Sequence, residues 1–229
     1  GVHPPQGFLR HAHRIGAGVA TAYIAALLGL VGGFWVVETA QKNLRRIRHH
    51  QLNLGPAQTA AICAWTGVGA LMLHRESTRG FLTLAAIAVF LGLLALSIID
   101  AYTHRVPRYV TGLMIVSGVP LIVIDALWHW DPTNLLRGFA GAVGLFVLYT
   151  VISAASRGGF GRGDVMLAPS VGLLLAYRGW DVLIRGTVYT FVLAGVVSAV
   201  LVAMRALDRR DHIAFVPYIA VGAFLAFLV

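Results

Sequence analysis

Apolar residues fill this chain in eight long blocks, and the polar residues collect between them. Windows of roughly 20 apolar residues, the length a helix needs to cross hydrocarbon, fall near 15–37, 53–73, 80–99, 109–128, 135–154, 165–177, 182–204 and 213–229. The pattern predicts an all-α fold, a polytopic transmembrane helical bundle of about eight spans. The first block is too long for a signal peptide and no small-residue cleavage site follows it, so it reads as a retained anchor. The sixth is short. Its 13 residues would rise only about 20 Å as a helix, against about 30 Å of hydrocarbon. It is expected to sit in thinned bilayer, to be shielded by neighbours or to be re-entrant. The chain divides into an N-terminal membrane segment, 1–79, with two spans around a basic loop at 38–52, and a second membrane domain, 80–229.

Composition agrees with the pattern and narrows it. Hydrophobic residues make up 58% of the 229 positions and charged residues 12%, with a mean hydropathy of +0.79, far from the balance of a soluble domain. No stretch is left for a second, soluble domain. The net charge of +9 comes from seventeen arginines and Lys42 against nine acids. Cations gathered between apolar blocks point to anionic lipid headgroups as partners and away from nucleic acid. Cys63 is the sole cysteine, which rules out an internal disulfide and a paired-cysteine metal site. The histidines, including His11, His13, His49 and His50, have no carboxylate or cysteine at ligand spacing. Neither metal nor other cofactor is expected.

The basic residues also orient the chain. With 38–52 on the cytoplasmic side, alternate loops carry Lys42, Arg45, Arg46, Arg48, Arg105, Arg108, Arg157, Arg162, Arg205, Arg209 and Arg210, eleven of eighteen cations. The positive-inside tendency then places the N-terminus outside. Trp128 and Trp130 fit an aromatic belt on the outer side. The basic segment 41–50 has fixing this topology as its plain role.

Two acids stand out because charge at the edge of hydrocarbon is expensive and is usually kept for a proton, an ion or a substrate. Asp100 ends the third block, in Ser97-Ile98-Ile99-Asp100-Ala101-Tyr102-Thr103-His104-Arg105-Val106-Pro107. Asp164 opens the sixth, in Gly161-Arg162-Gly163-Asp164. The fourth and fifth blocks form a complete hairpin between them, so both acids belong to one membrane face despite sixty-four positions of separation. Taken alone, Asp164 is a good helix-capping residue and Asp100 a good interfacial partner for His104, Arg105 or Arg108. Their pairing favours a shared task. Asp125 is the rival acid, expected to reach the headgroups near Trp128 on the other face. The remaining acids, Glu38, Glu76, Asp131, Asp181, Asp208 and Asp211, lie in or beside loops, where solvation is the default.

An Asp with a proline seven residues on, then Gly-x-Gly-Asp opening a later helix, resembles the type IV prepilin peptidases, a family of intramembrane aspartyl proteases. Residues 134–156 resemble the family's helix before the second motif. Phe215-Val216-Pro217-Tyr218 followed by Ala220-Val221-Gly222-Ala223 resembles its C-terminal Pro-Phe-Gly-Pro-Phe-Leu-Ala-Leu-Gly-Ala. The resemblance covers roughly 80–229 and makes that part the catalytic membrane domain. It implies an endopeptidase that removes the leader of prepilin-like proteins at the cytoplasmic face of a bacterial inner membrane. Cleavage would fall after a glycine preceding the substrate's hydrophobic helix. Asp100 and Asp164 would be catalytic, with Gly161, Arg162, Gly163, Met166, Pro107 and Pro217 binding substrate or supporting the site.

The chain departs from the family in three places. The cysteine-rich subdomain between the first two spans is replaced by the basic segment 38–52, which puts N-methyltransferase activity in doubt. Met166 stands where a lysine is usual, and Ala214 stands where the C-terminal motif has its first proline.

Peptide hydrolysis by two carboxylates needs one ionised and one protonated, and close approach of like charges forces that split. The helix dipole would favour a carboxylate at Asp164, at a helix start, over Asp100, at a helix end. This predicts Asp100 as acid and Asp164 as base. The glycines at 161 and 163 are expected to supply unusual backbone conformations and a close path for a substrate strand. Pro107 is expected to start the next helix, Pro169 to lie early in the sixth span, and Tyr102 and Arg162 to lie within reach of substrate. Two other readings remain: a proton- or ion-coupled transporter, since intramembrane acids also mark relays, and an inactive scaffold for pilus assembly. No internal repeat supports the first, and retention of both aspartates speaks against the second. The oligomeric state is not legible.

Overall fold

The structure, a computed structural model, describes residues 6–48, 55–77, 79–156, 161–204 and 214–229. Its regular elements are eight helices: α1 (Gln6–Arg48), α2 (Pro56–Glu76), α3 (Gly80–Thr103), α4 (Arg108–Trp128), α5 (Pro132–Ala155), α6 (Arg162–Arg178), α7 (Trp180–Ala203) and α8 (Val216–Leu228). Each coincides with one apolar block. Five are long and apolar enough to cross a membrane: residues 19–46 of α1, and α3, α4, α5 and α7. Exposed Tyr23, Leu27 and Val31 on α1, Val143 on α5 and Val196 on α7 give the outside the apolar surface of a multi-pass membrane protein.

The basic stretch expected as a loop at 38–52 is helical as far as Arg48. No breaker interrupts it, Lys42 pairs with Glu38 one turn back at 2.7 Å, and the Asn43 amide donates to the Thr39 carbonyl at 2.7 Å. The segment therefore presents Lys42, Arg45 and Arg46 from a helix. Asn43 also donates to the Tyr109 hydroxyl at the start of α4.

Lipid supplies no hydrophobic drive between helices, so small residues that let backbones touch decide which helices pair. In the α1–α2 hairpin, Gly29 and Gly33 lie against Thr66, Gly67 and Cys63. Gly141 of α5 faces Gly172 and Ala176 of α6 so closely that a Cβ on either glycine would strike the other helix.

The short sixth helix is the centre of the fold. It packs against α3, α4, α5, α7 and α8, and most of its residues, from Leu167 to Tyr177, are buried. Of the three arrangements open to it, shielding by neighbours is the one observed. Its last carbonyls would be orphaned in an apolar setting. Arg137 of α5 satisfies them, donating through Nε to Ala176 O at 2.7 Å and through Nη2 to Tyr177 O at 2.7 Å and Arg178 O at 3.1 Å.

Asp125 corrects the sequence reading. It does not reach headgroups but is 0% exposed, accepting from the Tyr177 hydroxyl at 2.9 Å, Arg79 Nη1 at 3.4 Å and the Leu82 N–H at 3.3 Å. Arg79 bridges onward to Asp131 at 3.1 Å. Burial opposes ionisation of Asp131, but the Asn134 N–H and the Arg79 guanidinium outweigh it and hold that carboxyl below its usual range. Burying a carboxyl is costly unless its oxygens are paired, and the Tyr177 hydroxyl, Arg79 and the Leu82 N–H supply the partners, so α4 ends on protein contacts where the sequence suggested water. This network ties the ends of α4 and α6 to the starts of α3 and α5, on the face opposite Asp100.

Candidate active site

Asp100 lies in the last turn of α3, which runs on to Thr103, so no extended stretch follows the acid directly. His104 closes the helix in the left-handed region at φ 49°, its N–H returning to Asp100 O at 2.8 Å. The chain then crosses through Arg105 and Val106 to Pro107, the N-cap of α4.

Asp164 is the third residue of α6, after N-cap Gly161. Its carboxylate folds back to accept the Gly161 N–H, half of a capping box. The backbone at Gly161 is ordinary extended chain, φ −66° and ψ 134°, so the glycine is not there for an unusual conformation. A Cβ at Gly161 would lie 2.9 Å from Asp164 Oδ2. Gly163 has a different reason: its missing Cβ is the space occupied by Val106. That contact docks the α3–α4 connection onto the first turn of α6 and draws the two aspartate motifs together.

The arrangement is buried, with Asp100 6% and Asp164 5% exposed, and the two carboxylates are within electrostatic reach of each other. Asp100 Oδ2 accepts the Val216 N–H at 3.2 Å, and the Phe215 N–H reaches the same carboxylate. These are orphan donors at the start of α8, and Pro217, next in line, has no N–H to offer. Pro217 thus supports the site by leaving Val216 and Phe215 to Asp100. Asp164 Oδ1 is buried and has no hydrogen-bond partner among the described residues.

The donors from α8 weigh against the helix-dipole argument about the proton. Asp100 does end α3, but it also sits at the N-terminus of α8, where backbone N–H groups favour a carboxylate. Met166 does not fit a place beside the dyad. It lies two residues, about 200° around a helix, from Asp164 and is 46% exposed. Arg162 is exposed at the same helix end, as are Tyr102, Arg105 and Arg108. Gly158, Gly159, Arg157, Arg205, Arg209 and Arg210 lie outside the described residues.

Tyr149 of α5 was missed by sequence reasoning. It is fully buried, within electrostatic reach of Asp164, and its ring meets Phe191 at 5.9 Å and Phe215 at 6.2 Å. The available signal was a hydroxyl-bearing ring inside an apolar block, where a buried Tyr needs a polar neighbour. Among the described residues no cluster of three or more His, Cys, Asp or Glu could hold a metal ion.

A model of the type IV leader peptidase family matches residues 86–204, a little over half of the chain and both aspartate motifs. The chain belongs to that family. The matched region ends before α8, so the donors to Asp100 come from beyond it. Among curated proteins the chain is similar to the "Prepilin leader peptidase/N-methyltransferase" of Bacillus subtilis (strain 168), 27% identical over 141 residues, 61% of this chain and 54% of that one. The protein of the same name from Stutzerimonas stutzeri is 28% identical over 144 residues, 60% of this chain and 46% of its own. The chain spans about half the length of these relatives. No solved structure matches it.

Proposed function

We propose that this protein is an intramembrane aspartyl endopeptidase that removes the leader of prepilin-like substrates, with Asp100 and Asp164 as its catalytic pair. The observation that carries the reading is the burial of both carboxylates within reach of each other, drawn together by Val106 on Gly163. Asp100, already accepting N–H groups from α8, is the general base that takes a proton from water. Asp164 presents the bare Oδ1 and is the acid that polarises the scissile carbonyl. The attacking water adds to the carbonyl carbon, the tetrahedral intermediate collapses, and the proton taken by Asp100 leaves with the amine. Such a pair titrates jointly, and neither acid can do the other's work.

Substrate would enter as an extended strand past the exposed Gly161, its peptide bonds freed from its own helix. In this reading the cut falls after a glycine at the head of the substrate's apolar helix, in keeping with the family resemblance. Arg105, Arg108 and Arg162, exposed around the site, support a cytoplasmic position in a bacterial inner membrane, and exposed Lys42, Arg45 and Arg46 of α1 support contact with anionic lipid there.

The test is to incubate purified protein with a peptide that has a polar leader ending in glycine and an apolar segment of twenty residues. One cut directly after the glycine, identified by product masses, is the expected outcome. An intact peptide contradicts the reading.

A further inference from the structure

Beside the Asp125 network, on the face opposite the aspartate pair, a cavity of about 220 Å³ lies between the ends of α2 and α6 and the starts of α3 and α5. Most of its polar lining is already occupied. The Tyr177 hydroxyl donates to Asp125 at 2.9 Å and accepts from Arg79 at 3.3 Å. The Ser77 hydroxyl donates to Arg79 O at 3.0 Å, the Asn134 amide donates to Asp131, and Arg79 is divided between Asp125 and Asp131. Two charges in the lining are left over, Arg178 at the end of α6 and Glu76 at the end of α2. Among the described residues the Arg178 side chain has no hydrogen bond and no ion pair, and its Nη1 is buried without an acceptor. Its guanidinium carbon lies 4.4 Å from the centre of the Phe227 ring, a face that attracts a cation without neutralising it. Asp181, an acid within electrostatic reach of Arg178, is held by Arg185 at 2.9 Å. Glu76 is exposed and also without an ion pair among the described residues. It is within electrostatic reach of Arg178, yet the two do not pair.

Two opposite charges held apart in one cavity describe the group that fits between them. A guanidinium taken from water without a counter-charge is costly, and its planar fork matches the oxygens of a phosphate. A simple anion would meet repulsion from Glu76. A group with a phosphate and, a few bonds away, an ammonium satisfies both ends. Depth in the membrane says where such a group comes from. Arg79 and Asn134 flank the first residues of α3 and α5, and both of these helices are long and apolar enough to cross a membrane. The cavity therefore lies where hydrocarbon gives way to headgroups. Trp128 and Trp130, exposed at the same end of α4, are the residue type that concentrates at that level. The volume is also small, below the roughly 300–1,000 Å³ of sites that enclose a drug-sized ligand. It suits a headgroup whose acyl chains stay in the bilayer.

We propose that this cavity binds the phosphoethanolamine headgroup of a phospholipid, with the phosphate at Arg178 and the ammonium at Glu76. The site is separate from the aspartates and does not rest on the peptidase reading. The lipid supplies both charges that the protein leaves open. It also bridges the end of α2, in the N-terminal segment, to the end of α6, the helix that carries Asp164 in its first turn.

Native mass spectrometry of the full-length protein in detergent, titrated with phosphatidylethanolamine or phosphatidylglycerol of the same acyl chains, reads lipid affinity without any turnover. The first lipid bound is expected to be phosphatidylethanolamine, held about fivefold tighter than phosphatidylglycerol, the scale of one exposed ion pair. Glu76→Gln, at an exposed position, should abolish that preference and leave phosphatidylglycerol bound at least as tightly as before. Arg178→Gln should weaken the binding of phosphatidylethanolamine about tenfold or more, with its fold checked by thermal unfolding. Arg178→Lys, which keeps the charge and loses the fork, should fall between the two. Equal affinity of the wild-type protein for both lipids overturns the proposal, as does a preference that survives Glu76→Gln or an affinity unchanged by Arg178→Gln. Soluble glycerophosphoethanolamine forms the control for the source of the headgroup. It should not compete with the lipid at equal concentration, and competition there would overturn the assignment to a membrane lipid.

Discussion

Gly163 is the residue whose change is easiest to read, because one absent Cβ is what lets Val106 dock on α6. Gly163→Ala should push the α3–α4 connection away and displace Asp100 relative to Asp164. A misplacement of about 1 Å can cost about 100-fold in rate, and a loss of that order in cleavage is expected with the fold kept. Val106→Gly in the same chain should restore much of it, since it removes the atom that clashes. Failure of the second change to rescue the first would show that the contact does not align the pair. Met166 gives the opposite expectation. It stands where the family usually has a lysine, but the exposed position, about 200° around the helix from Asp164, turns away from the aspartates. Met166→Lys should leave the pH–rate profile where it is. A shift of its acidic limb would place residue 166 beside the dyad.

At the scale of helices, block lengths and turn residues were enough to locate all eight elements, because a membrane helix declares itself by length and polarity. Three things were not legible. The end of α1 was hidden because charged residues signal a loop in a hydropathy window yet are good helix formers when paired, as Glu38 and Lys42 are. The place of Asp125 was hidden because its partners come from 46 to 52 positions away in sequence, at Arg79 and Tyr177. The second helix end acting on Asp100 was hidden because α8 lies 116 positions on. The Asp125 network is a structural device and should behave as one. Asp125→Ala leaves Arg79 and the Tyr177 hydroxyl partly unpaired, and breaking a buried pair costs about 3–5 kcal/mol. Tyr177→Phe removes one neutral donor and should cost about 1 kcal/mol. Thermal unfolding in detergent measures both, and equal effects of the two changes would contradict this ranking.

For the whole molecule, the order of the helices places both aspartates on one face, and the residue contacts draw them together. The aspartate motifs and their shared face were readable from sequence, since an odd number of chain crossings would have separated them. Which face it is depends on the cations. In a Cys63→Ala background, Trp130→Cys should react with a membrane-impermeant maleimide in intact cells, while Arg162→Cys should react only after lysis. The reverse labelling would place the site outside. The central claim, that two buried carboxylates hydrolyse the leader peptide bond, is tested most directly by measuring cleavage of the glycine-terminated leader peptide by purified wild-type protein and by Asp100→Asn and Asp164→Asn, with folding of each checked by thermal unfolding. The account predicts that either substitution alone abolishes cleavage in a folded protein. Near-normal turnover by either folded variant would contradict it.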